Sequence, residues 1–184
     1  MRTAIATTAA ALAAAATLGL AGPAHADQFG IDDPVDTHHG SDILALQFRN
    51  GDENVRVTTI HSNLRRDPAT GSGGSVFFDT DPADRGPEYV FTGGYFEGTD
   101  YVLVETEGFH AGQWGDPVEH GDYTLRVSYR RDRVQLIVSR AALGNPEEVR
   151  VAVRASGTRT DGTRHGLTDW VGDRREFTPW LARG

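Results

Sequence analysis

The chain has 184 residues, a formal charge of −8, no cysteine and no internal repeat. The absence of cysteine excludes a disulfide scaffold, a thiolate zinc site, an iron–sulfur cluster and a cysteine nucleophile. The acidic balance argues against nucleic acid or an anionic membrane surface as a partner, because binding to either requires a basic face.

Residues 1–26 have the pattern of a secretory signal peptide. Arg2 supplies the positive start, an Ala-rich apolar run follows, and Ala24-His25-Ala26 matches a cleavage site. Cleavage there leaves residues 27–184, in which 26 acidic side chains stand against 17 arginines, a formal charge of −9. No second apolar stretch is long enough to span a bilayer. We therefore expect a secreted, extracellular and monomeric protein with no membrane anchor.

Residues 27–42 are expected to form an acidic N-terminal arm or loop, followed by one domain over residues 43–184. The first predicted strand runs from Ile43 to Arg49, and the second from Asn54 to Ser62. Asn50-Gly51 between them predicts a tight hairpin with positive φ at both of its central residues.

The rest of the chain continues the strand pattern. Arg140–Leu143 predicts one short helical turn that Gly144 ends. The further predicted strands are Ser75–Asp79, Glu88–Thr92, Asp100–Thr106, Asp122–Tyr129, Arg133–Ser139 and Val149–Ser156. Alternation with one apolar face is typical of antiparallel sheets that pack on one side only. About eight such strands predict an all-β fold, a single antiparallel β-sandwich.

Several short motifs along this pattern carry a family resemblance. They are residues 32–36 with 41–43, residues 76–82 with 86–89, residues 138–144, and Asp169-Trp170. With these motifs the chain resembles the β-sandwich superfamily of DOMON domains and family 9 carbohydrate-binding modules, and small secreted actinobacterial proteins of that type. The resemblance implies a non-catalytic sandwich that binds sugar or haem, often with structural calcium.

Two acidic clusters are candidate calcium sites, because Ca²⁺ takes six to eight oxygen ligands and Asp-rich loops supply several of them. The first cluster has four carboxylates within eleven residues, and its alternative interpretation is a solvated terminal arm. The second follows an apolar strand, and turn chemistry alone explains it equally well. The candidate metal ligands are Asp32, Asp33, Asp36 and Asp42 in the first cluster, and Asp79 and Asp81 in the second.

Aromatic residues in glycine-rich loops or directly after a polar loop are the candidate ligand site, since pyranose rings stack on flat aromatic faces while polar groups fix their hydroxyls. These candidates are Trp114 with the neighbouring amide of Gln113, Trp170, and Tyr95. The alternative is that loop tryptophans close the open ends of the sandwich.

Haem is not expected, because the sole methionine, Met1, is lost with the signal peptide and Met/His ligation is then impossible. The adjacent pair His38-His39 is expected to be solvent-exposed, and its alternative interpretation is a site for a transition metal such as zinc or copper.

The sequence favours a binding protein over an enzyme. It contains no H-E-x-x-H, G-x-S-x-G, S-x-x-K or P-loop motif. Its acids fall mainly in turns, where solvent keeps carboxyl pKa values ordinary. We therefore expect a non-catalytic module for a polysaccharide or cell-wall glycan, with structural Ca²⁺. The alternative is an extracellular structural or protein-interaction domain with no small-molecule ligand.

Overall fold

A computed structural model describes residues 27–37, 40–158 and 166–184. The predicted signal peptide, His38 and His39 lie outside the described residues. Within them the strands are β1 (Asp27–Asp32), β2 (Ile43–Asn50), β3 (Asn54–His61), β4 (Gly73–Asp79), β5 (Tyr89–Gly94), β6 (Tyr101–Thr106), β7 (Trp114–Pro117), β8 (Tyr123–Ser128), β9 (Arg133–Ser139), β10 (Glu148–Thr158), β11 (Gly166–Trp170) and β12 (Leu181–Ala182). Three short 3₁₀ turns span Pro68–Thr70, Ala111–Gln113 and Arg140–Leu143.

The strands form two antiparallel sheets that pack as a sandwich, which confirms the predicted fold class. The small sheet has the order β1-β2-β3-β9-β8, and the large sheet has the order β11-β10-β4-β5-β6-β7. The eleven-residue β10 also pairs through its first two residues with β12, on the edge that β11 occupies further along. Among the described residues, no helix is both long and apolar enough to cross a membrane.

The eight predicted strands are all present as β2–β6 and β8–β10. The predicted helical turn at Arg140–Leu143 is present as a 3₁₀ turn. Ser139 Oγ accepts from Ala142 N, and Gly144 closes the turn with φ +75°, a conformation that glycine adopts at little cost. Local periodicity and turn residues were therefore sufficient for these elements.

Residues 27–32 correct the expectation of an irregular arm, because they form β1 on the free edge of β2. The hairpin between β2 and β3 is confirmed, but neither Asn50 nor Gly51 has positive φ. Asn50 is instead fully buried, where its side chain donates to Leu181 O at 2.8 Å and accepts from Arg140 Nη1 at 2.5 Å. Its role in tertiary packing replaces the turn role that the sequence suggested.

Two apolar clusters stabilise the packing of the sheets. The main core lies between the inner faces and includes Phe48, Phe78, Leu103 and Leu136. A smaller one, the outer cluster, lies on the opposite face of the large sheet and consists of Phe77, Val90, Val104 and Ala152. Half-buried aromatic side chains from the loop before β7 and from the C-terminal segment cover it. The large sheet is thus packed on both faces, which the alternating pattern of its strands did not indicate.

Candidate functional site

Three carboxylates converge where the first residues of β2 approach β11. Asp36 in the β1–β2 loop, Asp42 before β2 and Asp169 on β11 each place one oxygen so that the three atoms lie within 4.8 Å of one another. Asp42 and Asp169 are buried, with 0% and 5% of their surface exposed, and Asp36 is exposed. The cluster thus joins the small sheet, the large sheet and the N-terminal loop.

Backbone hydrogen bonds fix these carboxylates in place. Asp42 Oδ1 accepts from Asp36 N at 3.2 Å and from Thr37 N at 2.8 Å, so the loop wraps around this carboxylate. Asp169 Oδ2 accepts from Ile43 N at 2.6 Å, which ties β11 to the first residue of β2. The arrangement leaves one oxygen of each buried carboxylate without a backbone partner.

Asp33 lies beside this cluster and contributes a further carboxylate. Its Oδ1 accepts from Gly172 N at 2.8 Å, immediately after β11. Asp33 Oδ2, Asp42 Oδ2 and Asp169 Oδ1 are all buried and have no hydrogen-bond partner. A buried carboxylate oxygen without a partner is costly, and three side by side also repel one another.

The residues present fit Ca²⁺. Calcium prefers hard oxygen ligands at about 2.3 to 2.6 Å, so two ligands of one ion lie at most about 4.6 to 5.2 Å apart. The spacing of the Asp36, Asp42 and Asp169 oxygens lies within this limit. Ca²⁺ bound there would supply the charge that the unpartnered oxygens of Asp42 and Asp169 lack.

The electrostatics of the cluster appear in the pKa of Asp169. Burial, with the neighbouring charges of Asp36, Asp33 and Asp42, raises this pKa from 3.8 to about 7, although the hydrogen bond from Ile43 N opposes the shift. Burial also raises the pKa of Asp33. Without a cation, part of this cluster therefore holds a proton near neutral pH.

His61 helps to position Asp42. The buried imidazole donates from Nδ1 to Ser41 O at 2.7 Å, because a carbonyl oxygen can only accept, and its Nε2 accepts from Thr59 Oγ1 at 2.7 Å. In the neutral ring, the proton that Nδ1 donates leaves Nε2 as the acceptor. Burial lowers the pKa of His61 to about 4, in keeping with that state.

The sequence located part of this centre. Asp36 and Asp42 belong to it and Asp33 adjoins it, but Asp32 is exposed on β1 and is not part of the cluster. Asp169, the third member of the cluster, was not among the predicted metal ligands. Its signal was a carboxylate at the position of an alternating strand that faces the interior, between Leu167 and Val171.

The carboxylates of the second acidic cluster make contacts within the protein. Asp79 is fully buried, and its Oδ2 accepts from Arg150 Nε at 2.8 Å and from Arg150 Nη2 at 2.6 Å. Asp81 is exposed, and its Oδ1 accepts from Ala83 N within the turn. Asp79 Oδ1 is buried without a hydrogen-bond partner, but among the described residues the second cluster does not bring three carboxylates together as the first does, so metal ligands here stay a prediction.

Of the predicted aromatic residues, Trp114 and Trp170 both pack on the outer cluster. Trp170 stacks on Phe77 with ring centroids 5.8 Å apart, and it also meets Phe109 edge to face. Trp170 lines a cavity of about 410 Å³ at this face, together with Phe109, His110, Arg154 and two further arginines. Trp114 is half-buried, and its Nε1 is enclosed without a hydrogen-bond partner.

Tyr95 is not available to a ligand, so its prediction was wrong. It is 3% exposed and lies in the main core, edge to face with His61 at 5.3 Å. Gly74 makes room for it, since a Cβ at Gly74 would lie 1.9 Å from the Tyr95 hydroxyl. Gln113 is exposed but lines a separate groove, where its amide binds within its own loop through His110 N and Glu107 O. The four predicted ligand residues therefore do not form one site.

Comparison with protein-family models and with curated proteins finds no match to this chain. The resemblance to DOMON domains and family 9 carbohydrate-binding modules accordingly stays a prediction. The function has to be argued from the acidic cluster and from the cavity beside Trp170.

Proposed function

We propose that this chain is a secreted, non-catalytic carbohydrate-binding module whose N-terminal segment is fastened by structural Ca²⁺. The observation that carries the calcium part is the convergence of Asp36, Asp42 and Asp169 with buried, unpartnered oxygens. A bound cation would offset the repulsion among these groups and join both sheets through one centre.

The cavity beside Trp170 supports the carbohydrate part. Its walls combine the aromatic faces of Trp170 and Phe109 with polar groups such as Thr168 and Arg154. Sugar sites have this composition, because aromatic rings stack on pyranose faces while polar groups hold the hydroxyls. Its volume of about 410 Å³ falls within the range of small-molecule sites.

The acidic groove beside Gln113 is compatible with a non-catalytic module. Glu88, Glu105 and Glu107 line it, and burial raises the pKa of Glu88. Glu88 Oε2 accepts from both the N–H and the hydroxyl of Thr80, which assigns this carboxylate a structural contact at the end of β4. Structural contacts also shift pKa values, so the raised pKa of Glu88 does not by itself indicate a general acid.

The test is depletion of the purified protein by insoluble cellulose, xylan, chitin and peptidoglycan, each in Ca²⁺ and in EDTA. We expect depletion by at least one polysaccharide, stronger in Ca²⁺. Trp170→Ala should abolish depletion, whereas Trp180→Ala should retain it. Trp180 is the matched control, because it packs against Arg150 at 4.6 Å and does not line the cavity.

Thermal unfolding of both tryptophan variants separates loss of binding from loss of folding, since Trp170 also packs on Phe77. If the polysaccharide depletes both variants equally, the sugar does not bind in the cavity beside Trp170. No depletion in any condition would reject the carbohydrate module and favour the protein-interaction alternative.

A further inference from the structure

The cavity beside Trp170 is rich in arginine although the chain as a whole is acidic, with a formal charge of −8. Arg154 on β10 and Arg174 and Arg175 after β11 line it, and no carboxylate does. Among the residues that the structure describes, no carboxylate lies within ion-pair distance of any of the three. This local positive charge needs an explanation, because an acidic chain has ample carboxylates to neutralise it.

Arg154 is the most informative of the three. It is half-buried, its Nη2 donates to Ser75 Oγ at 2.9 Å, and its Nε is buried without a partner. Its guanidinium carbon lies 5.8 Å from the ring centroids of both Phe77 and Trp170. A partly buried guanidinium with unused donors is costly unless an anion completes its contacts.

Arg150 provides an internal comparison. It lies four residues earlier on β10, so its side chain points to the same outer face of the large sheet. It too contacts aromatic rings, those of Phe177 and Trp180, at 4.6 Å. Unlike Arg154, it is fully paired, through Nε and Nη2, with the buried carboxylate of Asp79. In the register of β4 and β10, the partner facing Arg150 is Asp79, whereas the partner facing Arg154 is Ser75.

Arg175 is also held at the cavity. Its φ of +67° lies in the left-handed region, which costs a non-glycine residue about 1 kcal/mol. Its Nη2 donates to His110 Nε2 at 3.0 Å, and its guanidinium carbon lies 5.7 Å from the Phe109 ring centroid. The nearest acid along the chain, Glu176, instead accepts from Asp173 N at 2.7 Å.

We infer that this cavity binds an acidic saccharide, whose carboxylate or sulfate group is held by Arg154 with Arg175 beside it. The guanidinium fork matches both groups with paired hydrogen bonds, and the aromatic walls suit the sugar ring. The inference rests on the proposed carbohydrate-binding function and specifies its ligand class. An anion there would give Arg154 the charge partner that Asp79 gives Arg150.

Isothermal titration calorimetry with matched probes tests this inference. Polygalacturonate is compared with its neutral methyl ester, and a sulfated galactan with unsulfated galactan. We expect at least one acidic polymer to bind about tenfold or more tightly than its neutral counterpart, since a charge-assisted hydrogen bond is worth that factor. Arg154→Gln should lose about the same factor for the acidic polymer only.

Arg126→Gln is the matched control. Arg126 is exposed on β8 of the small sheet, so the substitution changes the net charge equally without touching the cavity. It should leave the affinity within about twofold. Arg175→Gln is a second cavity variant in case Arg154→Gln does not fold, and it should also weaken acidic binding alone.

The outcomes separate the inference from the proposed function. Equal affinity for acidic and neutral polymers would overturn the inference and keep the carbohydrate module. Equal losses in Arg154→Gln and Arg126→Gln would also overturn it, because the effect would then be non-specific attraction. Binding of inorganic sulfate without binding of any saccharide would overturn it as well. If neither these polymers nor the insoluble polysaccharides bind, both proposals fail.

Discussion

Asp169→Asn should make the protein more stable in the absence of calcium, which is unusual for a substitution at a buried polar residue. The pKa of Asp169 is about 7 in the folded chain and near 3.8 when the group is unperturbed. Between these values the folded state holds a proton that the unfolded state has released. The free energy of unfolding therefore falls as the pH rises from about 4 to 7, and it levels off above pH 7.

The size of this effect follows from the shift of about three pKa units, which corresponds to about 4 kcal/mol. Asparagine does not titrate, and its side-chain oxygen can still accept from Ile43 N. Wild type and Asp169→Asn should thus have similar stability at pH 4 in EDTA. At pH 7.5 the variant should be more stable by as much as about 4 kcal/mol.

Calcium should offset much of this difference. At a free concentration of a hundred times Kd, a bound ion stabilises the fold by about 2.7 kcal/mol. For a chain of this size, that is a rise in Tm of about 5 to 10 °C. The wild type should gain this at pH 7.5 and lose it at pH 5, where protons compete for Asp169, and Asp169→Asn should gain little at either pH.

Urea unfolding and calorimetry in EDTA and in millimolar Ca²⁺ measure both effects. Asp32→Asn is the control, because it removes the same charge from an exposed neighbour outside the cluster and should keep the full calcium response. The reasoning would be refuted if the wild type had the same Tm in Ca²⁺ and in EDTA. It would also be refuted if the wild type were more stable than Asp169→Asn in EDTA at pH 7.5.

Three further predictions concern the framework. NMR should show that His61 titrates near pH 4, and titration near 6.5 would contradict its burial. Because its pKa is lowered on folding, the free energy of unfolding should fall by about 3 kcal/mol as the pH drops from 6.5 to 4. This pH dependence is opposite in sign to that of Asp169. Gly74→Ala should cost about 2 to 3 kcal/mol in urea unfolding, because the new methyl meets the hydroxyl of Tyr95, and an unchanged midpoint would disprove that contact. Asp79→Asn should lower the free energy of unfolding by about 3 kcal/mol, because it leaves Arg150 without its carboxylate. The rise in Tm with calcium should stay intact, and loss of that rise would indicate that Asp79 takes part in calcium binding.

Local sequence determined the strand framework. Eight strands, the β2–β3 hairpin and the turn at Arg140–Leu143 could be predicted because apolar alternation and capping residues act over a few positions. The same information located Asp36 and Asp42, which lie six positions apart in one loop. It overlooked β1, β7, β11 and β12, which are short or lie at sheet edges, where pairing with a neighbour decides strand formation.

The tertiary structure decided which of these residues meet. Asp169 reaches the acidic cluster only because β11 pairs with β10 and lies against Ile43, 126 positions away along the chain. Tyr95 is buried because Gly74, on a neighbouring strand, leaves space for its ring. Burial and the approach of distant charges set the cost of an unpartnered carboxylate or guanidinium. The sequence by itself therefore determined the β-sandwich, whereas only the packing of its two sheets decided that Asp169 Oδ1 and Arg154 Nε are buried without partners.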